Sequence, residues 1–400
     1  MRTMKKVLVA STALGLMASM AVAGDANKAF VEQDGNNNAA SIDQSAGPGG
    51  NDFATLSNPA TQRGNDNQLR FSNGSANNNH NNRFNNDVNV AEQIGNGNWM
   101  NITVGNLSNN NTVEDAQQLG DTNSLLVSLN GSRGGTIETV LQDGNVNSAV
   151  LKQSGNDNTI QSVSMIGDDN GYANRLELTS GRFASLRILQ TGNTNLVTSA
   201  TIEGSNNRQI PSNGYAPLLD IRQTGNMNIA FGNMLGSDGN YLNILQNGTG
   251  NDAGVNQGST AASTQNDADI DQIGDGNYVR ATQTGSYNAL NASFTGEDNG
   301  VGTMSGDAGT LVSSHIELTQ GSILQDSALA ASGNTIDYTV VGNDNMFAFA
   351  QIGGGNTITG LVGNLGASNL NQAAIIQVGS SNMTSFSQNG GGSNNLAVSQ

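Results

Sequence analysis

The sequence contains no cysteine, four prolines and two histidines among its 400 residues. The lack of cysteine excludes disulfides and thiol chemistry, so stacking and hydrogen bonds must hold the fold. The scarcity of proline argues against a disordered chain and leaves long stacked β-structure open. Because His80 and His315 lie far apart in a chain without cysteine, a histidine-based metal site or a Ser/His/Asp triad has little basis.

Basic residues are also scarce, since 15 Lys and Arg stand against 32 Asp and Glu and the net charge is −17. Such a surface repels phosphates and anionic headgroups, so we expect no nucleic-acid partner. Apolar residues make up 35 % of the chain, below the usual ~45–50 %. After the first 23 residues, no apolar run approaches the ~20 residues of a membrane span, so we expect a protein that is not embedded in a membrane.

The first 23 residues have the pattern of a secretory signal peptide. Arg2, Lys5 and Lys6 precede an apolar stretch over residues 7–20, and residues 21–23 form an A-x-A cleavage site. We therefore predict a signal peptide over 1–23, a weakly repetitive N-terminal region with an Asn-rich low-complexity stretch over 24–90, and a repeat region over 91–400. Removal of the signal makes the net charge three units more negative.

A short repeat dominates the remaining sequence. The string Q-x-G-x-x-N starts at thirteen glutamines, namely Gln33, Gln62, Gln93, Gln118, Gln142, Gln153, Gln190, Gln223, Gln246, Gln272, Gln283, Gln351 and Gln377. The same string with an apolar first residue starts at Met165, Ile202, Phe294 and Val340. Seventeen copies with fixed internal spacing are not a product of composition, so the chain is a repeat protein.

Several copies follow each other at a spacing of eleven residues, as Gln272, Gln283 and Phe294 do. Between the Asn of one copy and the next start, alternate residues are apolar or small, which predicts a strand with one buried side. The glycine and its Asn or Asp neighbours, as in residues 155–157, predict a corner with left-handed backbone angles. Each unit is thus one corner and one strand.

Two such units predict one rung of ~22 residues, and the rungs would stack ~4.8 Å apart in an all-β, amyloid-like β-solenoid with irregular inserted loops. We estimate roughly 8–16 rungs over ~40–75 Å. Inward Gln and Asn would form hydrogen-bonded amide ladders along the stack. The predicted ladder and corner residues are Gln93, Gly95, Asn98, Gln118, Gly120, Asn123, Gln142, Gly144, Asn147, Gln153, Gly155, Asn158, Gln190, Gly192, Asn195, Gln223, Gly225, Asn228, Gln272, Gly274, Asn277, Gln283, Gly285, Asn288, Gln351, Gly353, Asn356, Gln377, Gly379 and Asn382.

These tandem units after a signal peptide resemble the curlin repeat of bacterial curli fibre subunits. The resemblance covers most of 91–298 and 336–400, with two further copies in 31–73. It implies a secreted β-solenoid that polymerises into extracellular amyloid fibres for adhesion and biofilm matrix. The resemblance also implies several partners. These are further copies of this chain in the fibre, other curlin-like subunits or a nucleator, an outer-membrane secretion pore and accessory factors.

The chain departs from the family pattern in its length and its gaps. Stretches at 44–61, 72–92, 204–222, 252–270 and 299–338 lack clear repeats, and we expect loops or poorly matched rungs there. Within the last of them, residues 311–318 read as a strand without corner signals. The departures leave open whether the chain is a major subunit, a minor one or a nucleator.

No cofactor or metal site is expected. The run Asp267-x-Asp269-x-Asp271 resembles the start of an EF-hand loop, yet Gln272 stands where that loop needs glycine. Weak calcium binding by corner aspartates such as Asp157 and Asp344 stays open. The aromatic residues Trp99, Tyr172, Tyr241, Tyr278 and Tyr287 fall at outward or corner-adjacent positions and carry no specific signal.

Two other functions compete with the fibre subunit. One is a monomeric secreted β-solenoid adhesin or polysaccharide-binding module; an ice-binding version would need a regular threonine array, which Thr282/Thr284 and Thr357/Thr359 do not form. The other is an enzyme on a β-helix such as a polysaccharide lyase, which 4 % aromatic and 12 % charged residues fit poorly. We therefore expect a structural protein and not an enzyme.

Overall fold

The fold is described from a computed structural model of the chain. The structure describes residues 28–43, 52–53, 59–72, 87–103, 110–129, 133–170, 186–205, 219–236, 239–258, 265–315, 317–327, 332–362, 370–388 and 393–400. The predicted signal peptide, His80 and Tyr172 lie outside these residues. Among the described residues, no helix is long and apolar enough to cross a bilayer.

The strands form two parallel faces that lie opposite each other, the first a 16-stranded sheet and the second a 4-stranded sheet followed by a 9-stranded sheet. The chain passes from one face to the other in successive half-turns. The first face consists of β1 (Lys28–Ala29), β2 (Val31–Asp34), β4 (Asp52–Phe53), β5 (Ala60–Arg63), β7 (Asp87–Ile94), β9 (Thr112–Leu119), β11 (Thr136–Asp143), β13 (Thr159–Ile166), β15 (Leu196–Glu203), β17 (Ile229–Leu235), β19 (Asp252–Gln257), β21 (Tyr278–Thr284), β23 (Ser322–Asp326), β25 (Met346–Ile352), β27 (Gln372–Val378) and β29 (Asn395–Ser399).

The second face is assembled in the same way from the strands between them. It consists of β3 (Ala39–Asp43), β6 (Gln68–Ser72), β8 (Trp99–Thr103), β10 (Ser124–Leu126), β12 (Lys152–Ser154), β14 (Leu186–Thr191), β16 (Leu219–Asn226), β18 (Tyr241–Thr249), β20 (Asp267–Ile273), β22 (Ala289–Thr295), β24 (Thr335–Val341), β26 (Thr357–Val362) and β28 (Met383–Gln388). The bridge between Ser124 and Ser148 joins β10 to the segment that leads into β12.

All these pairings are parallel and place equivalent repeat positions side by side, as Gln223 beside Gln190 and Gln246. Because β1 with β2, and β4 with β5, each make one row, the described residues form fourteen rows on the first face and thirteen on the second. The predicted all-β solenoid is confirmed, and the number of rows lies within the predicted range.

Alternation along each strand builds the core. In β21, Val279, Ala281 and Gln283 are buried, and the residues between them are partly exposed. The inward apolar residues of both faces form one continuous cluster from Ala60 to Ile375. Towards the C-terminal end it thickens into an aromatic group, in which the rings of Phe294, Tyr338, Phe347, Phe349 and Phe386 lie 4.7–6.3 Å from their neighbours.

The corners have the predicted left-handed geometry. Gly155 has φ 107° and Asp157 has φ 54°, so two positions of this corner, one on each side of Asn156, have positive φ. The rows also approach each other most closely here. A Cβ on Gly192 would lie 1.9 Å from the carbonyl oxygen of Gly225 in the next row. Glycine at this position is therefore required twice, by its backbone angle and by the row above it.

An extra residue occurs in five neighbouring strands of the first face. In β7, β9, β11, β13 and β15, two exposed or half-buried residues separate the first two buried ones. Glu114 and Glu138 occupy this extra place in β9 and β11, and both are skipped in the pairing register. The bulges stack in one column over these five rows, and the column ends where β15 pairs with the regular strand β17 through a register shift between Val197 and Ser199. Each bulge lengthens the predicted eleven-residue unit by one residue.

Some stretches that lack clear repeats nevertheless contribute regular rows. The expectation of loops or poorly matched rungs is wrong for parts of 252–270 and 299–338, because β19, β23 and the start of β24 pair in register there. The same holds for the ends of 72–92 and 204–222, where β7 and β16 begin. Chain inserted before β7, β16, β23 and β24, and after β19, removes these rows from the regular spacing of the repeat.

The predicted strand over residues 311–318 is also wrong. The structure has helix α1 (Gly306–Ser314) there, within an insertion between Gly300 and Gly321. Ala308 of α1, with Met304 and Leu318, packs against outward residues of the first face, among them Ala374 and Ile376. Residues 311–314, the first part of the stretch expected as a strand, instead form the last turn of this helix. The helix and its flanking residues cover the outer side of β25 and β27.

We predict that a methyl group at a stacked corner is more damaging than one at an open corner. Gly192→Ala should destabilise the protein more than Gly250→Ala, because a Cβ on Gly250, which also has a positive φ of 70°, would meet nothing within 4 Å. Left-handed strain alone costs about 1–2 kcal/mol, and G192A adds displacement of a backbone carbonyl. Urea unfolding of the monomeric protein measures both. Equal losses would contradict the close stacking of the corners.

Candidate assembly interface

Inward glutamines of successive rows hydrogen-bond to each other in three ladders. The first runs along the first face through Gln33, Gln62, Gln93, Gln118 and Gln142, with Nε2–Oε1 distances of 2.5–2.8 Å. The second runs along the second face through Gln153, Gln190, Gln223, Gln246 and Gln272, with distances of 2.9 Å. The third returns to the first face through Gln257, Gln283, Gln325, Gln351, Gln377 and Gln400, with distances of 2.9–3.0 Å.

All three ladders have the same polarity. Each Nε2 donates to the Oε1 of the glutamine that follows in the chain, as Gln190 does to Gln223 and Gln223 to Gln246. The same Nε2 also donates across the core to a backbone carbonyl, as that of Gln223 does to Leu196 at 3.1 Å. Every ladder therefore points its donors towards the C-terminal end of the solenoid and its acceptors towards the N-terminal end.

The asparagine at the end of each corner holds the next row. Asn98 Nδ2 donates to the carbonyl of Gly120 at 2.7 Å, and Asn98 Oδ1 accepts the backbone N–H of Asn123 at 2.9 Å. Asn195 binds Gly225 and Asn228 in the same way. One side chain thus satisfies two backbone groups of the following corner, which would otherwise be buried without partners.

The thirty predicted residues fall at these three positions, glutamine in the ladder, glycine in the corner and asparagine after it. All ten glutamines are buried, and nine of the ten asparagines are. Asn382, in the last complete corner, is half-exposed, although its backbone N–H donates to Asn356 Oδ1 at 3.0 Å. Ladder membership differs between positions, since Gln142 and Gln153 lie on different faces and belong to different ladders.

Three glutamines of the third ladder, Gln257, Gln325 and Gln400, do not start the repeat string, and the first two lie within the stack. Gln257 and Gln325 are fully buried ladder members, but neither is followed by G-x-x-N. The strand that precedes each of these glutamines has the alternating pattern by which its ladder position can be recognised in the sequence. Asn251-x-Ala253-x-Val255-x-Gln257 has the inward pattern of the other strands, so a search on the strand half of the repeat finds Gln257.

The apolar replacements in the repeat are stacked on one another. Met165 and Ile202 lie in neighbouring rows, and Met234 completes this group on the first face. Phe294, Val340 and Val362 form an equivalent group on the second face. Amides meet apolar residues only where a ladder ends, as where Gln142 Nε2 lies 3.8 Å from Met165 Sδ.

An unmatched acceptor follows each of the apolar interruptions. The Oε1 atoms of Gln153, Gln257 and Gln388 are buried and have no hydrogen-bond partner among the described residues. Gln153 and Gln257 begin the second and third ladders. The preceding row has an apolar residue at the ladder position, such as Met234 before Gln257 and Val362 before Gln388. A ladder can therefore be interrupted, but every interruption costs one unmatched amide oxygen.

Among the described residues, nothing covers either end of the stack. At the N-terminal end Gln33 is exposed, and Val31 and Ile42 are only partly buried against the core. At the C-terminal end Leu396 and Val398 of β29 are likewise partly buried. The last Nε2 of the third ladder, on Gln400, reaches only the carbonyl of Met383 at 3.4 Å. Both the apolar core and the ladder therefore end at surfaces that could be continued.

The outer side of the second face carries a compact charged group. Asp220 is nearly buried and binds the guanidinium groups of Arg187 and Arg222. Burial raises the pKa of the Asp220 carboxyl to about 6, although the neighbouring Arg187 acts to lower it. Burial, with the nearby charge of Asp269, also raises the pKa of Asp267 and Asp271.

The other residues considered from the sequence lie apart from any shared site. Among the described residues, no three His, Asp or Glu side chains form a group that could hold a metal ion. Tyr241 and Tyr278 are half-buried on outer strand positions, and Tyr287 lies in a corner with φ 61°. Trp99 packs on Leu126 and Val150 outside the second face. Thr282 and Thr357 belong to β21 and β26, which lie on different faces.

Removal of one ladder amide should destabilise the fold. Gln223→Leu keeps most of the side-chain volume but leaves Gln246 Oε1 without its donor and Gln190 Nε2 without its side-chain acceptor. We expect a loss of about 1–3 kcal/mol, read from the urea midpoint of the monomer. The matched control is Ile202→Leu, at a ladder position without amides, where about 1 kcal/mol or less is expected. Equal effects would show that the ladder contributes no specific stability.

Folding stability should rise as the pH falls from about 6 to about 4. The pKa of Asp220 lies at about 6 in the folded protein, above the ordinary 3.8. The folded state therefore binds more protons than the unfolded state between these values, and the stability cost of burying the carboxylate disappears as it is protonated. Urea midpoints measured across this range test the sign, and Asp220→Asn should flatten the slope. A stability that falls on acidification from pH 6 to 5 would contradict it.

Comparison with known proteins gives a family for part of the chain. Residues 23–47 and 263–293 match the family model of the curlin associated repeat. The second match contains β20 and β21 with the consecutive ladder residues Gln272 and Gln283. No curated protein matches the chain. These two segments thus match the curlin associated repeat, which confirms for them the resemblance that the sequence indicates.

Proposed function

We propose that this protein is a secreted structural subunit that assembles end to end into extracellular curli-like amyloid fibres, which serve adhesion and biofilm matrix. The observation that carries the proposal is the pair of open, complementary ends of the solenoid. Within the described part of the chain, each end combines strand edges without a further partner, a partly exposed apolar core and one terminus of an amide ladder.

The two ends match in chemistry as well as in shape. At the C-terminal end, the third ladder presents an amide donor at Gln400 on the first face, and the buried Gln388 adds an inward amide on the second face. At the N-terminal end, Gln33 is exposed and begins the first ladder. The inward residues at the C-terminal end, Leu396 and Val398, are apolar like Val31 and Ile42 at the other end. Stacking of a second copy removes these apolar groups from water and pairs the strand edges, which is the usual route from an exposed edge to a fibre.

The role we propose is structural and not catalytic. The amides that recur in the chain are used in hydrogen bonds between rows, and the recurrent glycines are required by corner geometry. The net charge of −17 keeps unassembled chains apart. Export under a signal peptide over 1–23, a dedicated outer-membrane pore with accessory factors, and other curlin-like subunits or a nucleator as partners belong to the same proposal and rest on the family resemblance.

The test uses purified residues 24–400, brought from denaturant into buffer and left at rest with thioflavin T. We expect a lag, a sigmoidal rise that seeds shorten, and fibre reflections near about 4.7 and 10 Å. A β-rich protein that stays monomeric for days would contradict self-assembly and favour the adhesin or polysaccharide-binding module.

A variant of the open end makes the test specific. Leu396→Lys with Val398→Lys places charges on the inward side of β29 at the end of the stack, where a second copy would bury them, so elongation from seeds should slow at least tenfold. The control is Ser399→Lys, on the exposed outward side of the same strand, which should elongate at nearly the rate of the unmodified protein. If both variants elongate alike, the C-terminal end is not the growing surface.

A further inference from the structure

The described solenoid begins and ends on the same face. Its first row, β1 with β2, and its last, β29, both belong to the first face. Since successive strands alternate between faces, fourteen rows on the first face enclose thirteen on the second, which makes an odd number of half-turns. On each face the first two rows are paired directly, β1 with β4 and β3 with β6, so no further row lies between the first and the second row of either face.

This parity decides how a second copy can continue the spiral. The position after β29 lies on the second face, directly on β28. We infer that successive copies in the fibre are related by a half-turn about its axis, so that the first face of one copy continues the second face of the copy before it. This inference rests on the proposed end-to-end assembly. In this arrangement β1 and β2 of the new copy pair with β28, and its β3 pairs with β29.

The alternative, stacking without rotation, pairs fewer strands. It places β2 of the new copy on β29, and its β3 then lies two rows, about 9.6 Å, from β28. The facing edges of β28 and β3 would stay unpaired inside the junction. A half-turn pairs both edges at the ordinary spacing of ~4.8 Å, and since buried backbone groups are costly when unpaired, it is the arrangement that the backbone favours.

The inward residues permit the exchange of faces, because both faces carry the same pattern. Ala268, Ile270 and Gln272 point inward from the second face, and Val279 and Gln283 do so from the first. At the junction, Phe386 and Gln388 of β28 would meet Val31 and Gln33 of the new copy. The buried Gln388 lacks a ladder neighbour on either side within one copy, and the exposed Gln33 begins a ladder.

On the other side of the junction, the inward residues of β29 likewise match those of β3 of the new copy. Leu396 and Val398 of β29 point inward at the heights of Ala40 and Ile42 of β3, as judged from the pairing of Ala40 and Ile42 with the buried Leu69 and Phe71. Helix α1, which packs outside the first face at the last rows, then lies on alternate sides of the fibre. The axial repeat becomes two subunits, or about 130 Å for 27 rows of ~4.8 Å.

Cysteine pairs across the junction distinguish the two arrangements, since the chain has no cysteine of its own. Glu32, Ser387 and Ser399 occupy equivalent outward positions in β2, β28 and β29, each directly before the inward glutamine of its row. With a half-turn, Glu32 of one copy lies beside Ser387 of the next, within the Cα spacing of a disulfide. Without rotation, Glu32 lies beside Ser399. Within one copy, Glu32 is separated from both serines by about 60 Å of stack, so any bond is between copies.

Fibres of E32C/S387C and of E32C/S399C are grown from residues 24–400, oxidised, dissolved in denaturant and sized by non-reducing electrophoresis. We expect a ladder of multimers from E32C/S387C and mainly monomers from E32C/S399C. A second half-turn pair, S41C/A397C, joins β3 of one copy to β29 of the other. It should also give multimers, and it replaces the first pair if E32C/S387C disturbs assembly. The single variants E32C and S387C should give no species beyond dimers.

The reverse result, multimers from E32C/S399C alone, overturns the half-turn while leaving end-to-end assembly intact. Fibres that cross-link through none of the three pairs overturn it as well, because both edges would then lie outside the junction. Absence of fibres from the cysteine-free protein under the same conditions refutes the proposed assembly itself. The two failures are thus separate observations.

Discussion

The hydrogen bond between stacked glutamine side chains fixes the register on which the rest of the structure depends. This bond forms only when glutamine lies at the same height in the next row. A slip of one residue would turn the glutamine side chain outward, and the inward apolar residues of the same strand would turn outward with it. Gln223 is held in this way from both sides, by Gln190 and Gln246, at 2.9 Å. With the register fixed, the corners must also superimpose, and Gly192 then lies so close to Gly225 that no side chain fits between them.

The cost of an unmatched amide explains where the ladders stop. An apolar residue within a ladder leaves a donor on one side and an acceptor on the other without partners, so isolated replacements are expensive. The chain instead gathers Met165, Ile202 and Met234 into one block on the first face, over rows where the second face carries Gln190 and Gln223. The first ladder therefore ends on the first face, the second runs on the second face, and the third runs on the first face again. Three ladders have only three starts and three ends, whereas scattered replacements would have created many more.

The sequence predicts the elements that depend on residues within one unit. Corner, strand and inward glutamine follow from Q-x-G-x-x-N and from alternation, because left-handed φ and burial are local requirements, as at Gly155 and Gln153. Features that depend on the neighbouring row are not visible in this way. The bulge at Glu114 is set by the matching bulge at Glu138, and Gln325 joins its ladder across an insertion that removes it from the repeat spacing.

Helix α1 is another element that the sequence of one unit does not predict, and it also orders the last strand at the C-terminal end of the stack. The apolar residues of this stretch do not by themselves distinguish a helix from a strand, since the helix is defined by the outer surface of β27 on which it packs. It lies beside the stack and not across its end, because Leu396 and Val398 stay partly exposed. At the same time Asn395 of the last strand binds the backbone of Ser305 and Ala308 at 2.6 and 2.9 Å. A strand held in this way has already lost much of its conformational entropy, so a second copy that pairs with it pays less for ordering the junction.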